Sequence, residues 1–183
     1  EKEGSITVPA RLLADFVSSI QDKTINLSVE NTQIIAKSDH VSAHINGLDA
    51  EDFPLIPTVT SDQSYHIKPS DLKEAITQVV IATAHDETRP VLTGVLCTIH
   101  GSLLTLVATD SYRLAERTIP LMKPSHTDIS CIIPARTLSE VGRLLELSLD
   151  NVAITITQTQ VCFSFGNCML ISRVLEGIYP DYV

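Results

Sequence analysis

The 183-residue sequence lacks several features that would place it in a familiar functional class. No apolar run approaches the roughly 18–20 residues of a membrane-spanning helix. The polar start, Glu1-Lys2-Glu3-Gly4, resembles no signal peptide. Neither a G-x-x-x-x-G-K nor a G-x-G-x-x-G motif occurs, so nothing supports nucleotide binding. We expect a cytoplasmic protein. Because the start also lacks Met, we further expect a fragment of a longer chain.

Basic residues and clustered metal ligands are scarce as well. Lys and Arg number 13 against 22 Asp and Glu, a net charge of −9, so the composition does not suggest a basic nucleic-acid module. His40 and His44 lie at the start of a predicted strand, where four residues span about 13 Å, too far apart to hold one metal ion. No C-x-x-C pair occurs, so the sequence predicts neither a metal nor a cofactor. We expect buried, reduced thiols at Cys97, Cys131, Cys162 and Cys168.

The sequence does contain an internal repeat. Residues 5–13 read Ser-Ile-Thr-Val-Pro-Ala-Arg-Leu-Leu, and residues 130–138 read Ser-Cys-Ile-Ile-Pro-Ala-Arg-Thr-Leu. Each copy ends on an aromatic residue followed by proline, at 53–54 and at 179–180, and a looser third copy starts at Ile67. The repeat predicts three units, at about 1–57, 64–122 and 128–183.

Each unit has the pattern β-α-β-β-β. A short strand runs into a proline, and an amphipathic helix with one apolar face follows. The apolar faces are Leu12, Leu13, Phe16, Val17 and Ile20; Leu72, Ile76, Val79 and Val80; and Leu138, Val141, Leu144 and Leu145. Runs rich in β-branched residues then predict strands at 24–29, 33–38 and 41–48; 93–99, 103–109 and 112–121; and 152–157, 161–165 and 168–175. We expect an α+β fold in which paired units place two helices side by side on curved antiparallel sheets.

The units also predict the domain organisation. The polar segment 58–63 has the composition of a linker, and residues 64–183 would form one complete domain from two units. Residues 1–57 would be half of a preceding domain. We therefore expect the first unit to leave an apolar helix face and a sheet edge uncovered.

Four stretches resemble the bacterial β sliding clamp family, the processivity subunit of DNA polymerase III. Residues 107–115 are similar to the family signature A-T-D-G-H-R-L-A, with Ser111 for Gly and Tyr112 for His. Residues 89–96 resemble R-x-x-L-x-G-[MV]-[LF], and residues 176–182 resemble [DE]-G-x-[FY]-P-D-Y. Residues 8–11 and 50–54 also fit the family's first domain. The chain would correspond to the second half of domain one and all of domain two.

The resemblance implies a DNA-clamp fold and a function without catalysis. Full-length chains of the family form a homodimeric ring that encircles duplex DNA independently of its sequence. A hydrophobic pocket takes short linear motifs from the polymerase alpha subunit, the clamp loader, other polymerases and repair proteins. Carried over by motif, the pocket wall is Leu92, Thr109, Ser111, Tyr112, Arg113, Leu114 and Pro180. The residues implied to face DNA are Arg11, Lys73, Arg89, Pro90, Val91 and Arg136.

The residues alone leave other interpretations open. Leu92 and Leu114 could be core residues of strands, and Asp110 could have a capping or turn role. Arg136 could belong to an ordinary row of helix ion pairs with Glu140 and Arg143. Two rival functions follow: a duplicated α+β peptide-binding adaptor that does not bind DNA, and a small enzyme that uses Asp110 or His85.

Overall fold

The structure, a computed structural model, describes residues 4–54, 59, 63–86, 88–147 and 150–182. It divides into two compact units, Glu1–Pro57 and Thr58–Val183. Of the predicted linker at 58–63, the described part includes only Val59 and Gln63, and the rest lies outside the described residues.

The first unit holds one helix and a three-stranded antiparallel sheet. Its elements are α1 (Ala10–Ser19), β1 (Asn26–Glu30), β2 (Gln33–Lys37) and β3 (Ser42–Asn46), and the strand order is β1-β2-β3. The strand expected before Pro9 is reduced to one bridge, in which Thr7 and Leu48 exchange hydrogen bonds of 3.0 and 2.8 Å. It stays short because, within the described residues, Leu48 supplies its only strand neighbour.

The apolar face of α1 is only partly covered. No residue of this helix is buried, and Leu12 and Val17 are exposed. The outer strand β1 is exposed along its whole length, including Leu27 and Val29. The expectation of an uncovered helix face and sheet edge in this unit is confirmed.

The second unit contains two copies of the β-α-β-β-β pattern. The first copy is β4 (Tyr65–Ile67), α2 (Pro69–Val80), β5 (Gly94–His100), β6 (Leu103–Thr109) and β7 (Leu114–Pro120). The second copy is β8 (Ile129–Pro134), α3 (Ala135–Leu144), β9 (Val152–Ile156), β10 (Gln160–Phe165) and β11 (Cys168–Arg173). Both copies therefore fold alike.

The two copies exchange their first strands. The sheets have the orders β11-β10-β9-β4 and β7-β6-β5-β8, so each is completed by a strand from the other copy. A backbone bond then ties the end of each copy to its own first strand, from Met122 N to His66 O and from Leu175 N to Ile132 O, both 2.8 Å. This reciprocal exchange makes the two copies one folded unit.

The core lies between the helices and both sheets. Helix α2 packs beside α3, and the two contribute to a common cluster of buried side chains. The fully buried members include Leu72, Val79, Leu138, Val141, Val95, Leu104, Ile154 and Phe163. The predicted apolar faces of both helices are thus buried, and the expected α+β arrangement of two helices on antiparallel sheets is confirmed.

Two predicted strands begin two residues too early. The strand expected over 24–29 starts at Asn26, and the strand expected over 112–121 is β7, which starts at Leu114. The carboxylate of Asp110 accepts hydrogen bonds from the backbone N–H groups of Tyr112 and Arg113, which would otherwise join the strand ladder. The segment therefore forms a tight turn that presents its side chains outward.

Candidate functional site

Three segments of the second unit converge near the end of β6. They are the short 3₁₀ helix Pro90–Thr93, the turn at 110–113 and the tail that follows β11. The Tyr179 hydroxyl of the tail accepts a bond from Thr109 N at 3.1 Å and donates one to Val107 O at 3.4 Å. Burial raises the pKa of Tyr179, so the hydroxyl stays protonated and able to donate at neutral pH.

The 3₁₀ helix contacts both of the other segments. Arg89 Nη1, just before this helix, donates to Ser111 Oγ of the turn at 3.0 Å. On the tail, Gly177 lies so close to Val91 that an added Cβ would meet its Cγ2 atom at 2.8 Å. A larger residue at Gly177 would therefore push the tail away from the 3₁₀ helix.

The turn holds its shape through its own polar groups. Thr109 Oγ1 accepts from Ser111 N at 3.1 Å and donates to Arg113 O at 2.8 Å. Asp110 accepts from Tyr112 N and Arg113 N at 3.0 Å each, and from Arg113 Nε at 2.9 Å. The backbone bonds from Tyr112 and Arg113 hold the pKa of Asp110 below its usual value. The predicted turn role of Asp110 is confirmed.

The turn presents an aromatic, an aliphatic and a cationic group to solvent. Tyr112 is 98% exposed and Leu114 is 47% exposed. The Arg113 guanidinium is exposed but oriented by its ion pair with Asp110. An exposed apolar pair beside a fixed cation is the composition of many binding hot spots.

Five of the seven residues expected in the pocket lie on these three segments, and the other two, Thr109 and Leu114, flank the turn as the last residue of β6 and the first of β7. Leu92 is buried in the 3₁₀ helix, so the alternative of a core residue holds for it, although not in a strand. For Leu114 the core alternative is wrong, because nearly half of its side chain is exposed. Thr109 is buried and Pro180 is exposed on the tail.

No local sequence pattern predicted a separate groove along β8. The groove has a volume of about 1000 Å³ and shares only Pro180, among the described residues, with the predicted pocket. Its walls combine apolar side chains, among them Ile129, Ile132 and Tyr182, with the acidic groups of Asp128, Glu176 and Asp181. The groove forms where the tail and β8 meet, and such a junction depends on tertiary packing that no local pattern encodes.

The predicted DNA-facing cations are divided between the two units. Arg11 is exposed on α1 of the first unit. In the second unit, Lys73 on α2 pairs with Glu146 at 3.1 Å, and Arg136 on α3 is exposed. Arg143 pairs with Glu140 at 2.9 Å, but Arg136 has no ion-pair partner within the described residues. The ion-pair row is therefore real for Arg143 and does not include Arg136.

The loop that leads into the 3₁₀ helix and the start of that helix hold the predicted DNA-facing residues Arg89, Pro90 and Val91. Arg89 is exposed, although its guanidinium already donates to Ser111. Pro90 is exposed, whereas Val91 is partly buried beside Gly177. Glu87 of this loop lies outside the described residues.

The remaining polar groups offer no metal site in the described part of the chain. No group of three or more His, Cys, Asp or Glu residues is arranged to hold an ion there. His40 is exposed and contacts Asp22 at 3.2 Å, while His44 lies in β3 opposite Ile35. Cys97 and Cys162 are buried as expected, but Cys131 and Cys168 are only partly buried because they lie on edge strands.

Among the described helices, none is both long and apolar enough to span a membrane.

Two family models match the chain. The one described as "DNA polymerase III beta subunit, central domain" covers residues 66–181. The one described as "DNA polymerase III beta subunit, N-terminal domain" covers residues 1–57.

Curated relatives and solved structures agree with these matches. The beta sliding clamp of Bacillus subtilis is 37% identical over 182 residues, which is 99% of this chain and 48% of the relative. The solved sliding clamp of that organism superposes with a TM-score of 0.91 at 37% identity, covering 99% of this chain and 48% of the other. A clamp from Pseudomonas aeruginosa bound to griselimycin gives a TM-score of 0.91 at 30% identity, with coverage of 99% and 49%. The chain spans about half the length of the curated relatives it matches.

Proposed function

The chain belongs to the family of the DNA polymerase III beta subunit, and on that premise we propose that it is part of a sliding clamp for bacterial DNA replication. The clamp encircles duplex DNA as a full-length homodimer and keeps the polymerase attached to its template. It takes no part in bond formation. Residues 1–57 are the second half of its first domain, and residues 64–183 are its second domain.

The turn at 110–113 and its neighbours form the site for partner proteins. Tyr112 and Leu114 supply exposed apolar surface, Leu92 and Thr109 form the floor, and Arg113 is a charged rim. The observation that carries this assignment is the 98% exposure of Tyr112 on a turn fixed by hydrogen bonds. A rigid aromatic side chain loses little conformational freedom when a partner covers it.

The partners reach this site with short linear motifs. We expect such segments in the polymerase alpha subunit, the clamp loader, other polymerases and repair proteins. A Pseudomonas aeruginosa relative has been solved with griselimycin bound, which supports the view that clamps of this family offer a ligand-binding surface.

The helices of the second unit supply the DNA-facing side. Lys73 and Arg136 lie on α2 and α3, which pack side by side. A sliding surface needs attraction to phosphates without contacts that read bases, because base contacts would hold it at one sequence. Exposed cations on adjacent helices meet that need, and a net charge of −9 does not oppose it when acidic groups lie elsewhere.

Two double variants test the peptide site. We expect Tyr112→Ala with Leu114→Ala to weaken binding of a peptide carrying the polymerase's clamp-binding motif by roughly 2 kcal/mol, or about 30-fold, measured by calorimetry. The matched control is Leu103→Ala with Met122→Ala, whose side chains are 46% and 48% exposed but lie away from the turn. Unchanged affinity in the first variant, or an equal loss in the control, would remove the assignment.

One observation favours the rival function of a peptide-binding adaptor that does not bind DNA. Lys73 and Arg143 are both engaged by acidic partners, which reduces the positive field of the helix side. An adaptor would keep the peptide site but would show no salt-dependent binding to DNA and no difference between circular and linear DNA.

A further inference from the structure

Two cysteines lie side by side on neighbouring strands of the second unit. The register of β5 and β8 places Cys97 directly opposite Cys131, so both side chains project from the same face of the sheet. This is the face that carries Val95 and Ile133 into the core. Neither thiol belongs to the peptide site or to the DNA-facing helices.

The backbone pattern fixes the spacing of the two residues. Leu175 N donates to Ile132 O at 2.8 Å from the far side of β8, so the polar backbone groups of Ile132 point away from β5. Those of the next residue, Cys131, therefore point toward β5, and Cys97 and Cys131 form a hydrogen-bonded pair. Such pairs have a Cα–Cα separation of about 5.5 Å, within the range of about 4.4–6.8 Å seen for disulfides.

A disulfide at this position would be open to reductants from one side, because Cys131 is partly exposed on the edge strand. Exposed disulfides have more oxidising potentials than buried structural ones and belong to the labile, regulatory class.

The two thiols differ in access and in acidity. Cys97 is 1% exposed, whereas Cys131 is partly exposed on the edge strand and lines the groove along β8. The interaction between the thiols lowers the pKa of Cys131 and, together with burial, raises the pKa of Cys97. Cys131 is thus the more accessible and the more readily ionised of the two.

We propose that Cys97 and Cys131 form a reversible redox site, which a small disulfide such as oxidised glutathione converts into a cross-strand disulfide. The Cys131 thiolate attacks one sulfur of the reagent, the sulfur–sulfur bond of the reagent breaks, and one glutathione leaves as thiolate. The Cys97 thiol then loses its proton as it attacks Cys131 Sγ, and the bond to the second glutathione breaks, which releases that glutathione as thiolate. Two electrons pass from the protein to the reagent, and the two thiol protons end on two glutathione molecules.

The other two cysteines offer a built-in contrast. Cys162 lies opposite Ile171 and Thr155, and Cys168 lies opposite Phe165, so neither has a thiol across the ladder. Formation of a cross-strand disulfide is therefore confined to Cys97 and Cys131 among the cysteines. The product would fasten the edge strand β8 to the interior strand β5.

Incubation of the folded protein in glutathione buffers of increasing disulfide fraction tests the site. We expect two of the four thiols to disappear together, peptide mapping to find the 97–131 link, and dithiothreitol to restore both thiols. In the Cys97→Ser variant the exchange reaction should stop at a glutathione adduct on Cys131. In the Cys131→Ser variant Cys97 should remain unreacted. The control Cys162→Ser should keep the link.

The opposite results would overturn the proposal. They are the absence of a 97–131 link in the folded wild-type protein, a link that forms only after unfolding in urea, or equal reaction of Cys162 or Cys168. Because peptide mapping of the wild-type chain decides among these outcomes, a cysteine variant that fails to fold does not prevent the test.

Discussion

Ser111 occupies a backbone conformation that suits glycine. Its φ is 78°, in the left-handed region where a side chain is strained, and the family signature has Gly at the matching position. Its hydroxyl gains one hydrogen bond from Arg89, at an exposed site where such a bond adds little. The turn therefore retains a residue that costs stability.

We expect Ser111→Gly to stabilise the second unit by about 0.5–1 kcal/mol, because relief of the strain outweighs the lost hydrogen bond and the added chain entropy. Urea unfolding measures the change. Ser111→Ala is the matched control, since it loses the hydroxyl but keeps the strain, and it should destabilise slightly. A glycine variant no more stable than the alanine variant would contradict the assignment of strain.

Asp110 makes the turn sensitive to acid. Its pKa is lowered in the folded state by the bonds from Tyr112 and Arg113, so its contribution to stability is present above the usual value of 3.8 and is lost as pH falls through the lowered pKa. We expect Asp110→Asn to lower the unfolding temperature at pH 7 and to differ less from wild type at pH 3. Thermal unfolding at the two pH values checks this. A difference that stays constant with pH would contradict it.

At the residue scale, local chemistry was predictable and distant partners were not. Asp110 followed by small and polar residues predicts a turn, and the structure has one. The role of Tyr179 could not be predicted, because its hydroxyl bonds the backbone of Val107 and Thr109, some 70 positions away. Nothing near Tyr179 in the sequence encodes those partners.

Among the elements, the two helices of the second unit approach closely at a glycine. A Cβ added to Gly142 on α3 would lie 3.4 Å from Ile76 Cγ2 on α2, which is ordinary van der Waals contact. Gly142 is buried, and the helix on either side of it carries an apolar face. The position therefore sets how near α2 and α3 can lie.

We expect Gly142→Ala to be tolerated or to stabilise by up to about 1 kcal/mol, because alanine favours the helix. Gly142→Leu should destabilise by about 1–3 kcal/mol, because its extra atoms would enter the space of Ile76. Denaturant midpoints of the two variants measure the contrast. Equal stability of both variants would show that the helices are not closely packed there.

Helices and strands were predictable where one hydrophobic periodicity runs through the whole segment. Their first and last residues were predicted less well. The apolar faces of α2 and α3 follow helical spacing and are buried as predicted. The face of α1 has the same spacing but contains no buried residue, because burial depends on a partner that periodicity does not specify. The groove along β8 was missed for the same reason, since it arises from the meeting of two distant segments.

At the scale of the whole molecule, the repeat carries most of the information. The two copies within 64–183 fold alike, as the looser copy starting at Ile67 predicted, and they exchange their first strands, which the repeat did not predict. The net charge of −9, in contrast, did not predict DNA binding. A sum over the chain does not show where the charges lie. The proposal that the protein encircles DNA therefore requires a direct test.

That test is retention on closed DNA. A chain of the relatives' full length that contains these residues is loaded by its clamp loader onto nicked circular DNA and passed through gel filtration before and after the circle is cut. We expect the protein to elute with the intact circle at a salt concentration that disrupts simple electrostatic binding, and to be released once the DNA is linear. Equal retention on circular and linear DNA, or no retention on either, would contradict a clamp and favour the adaptor.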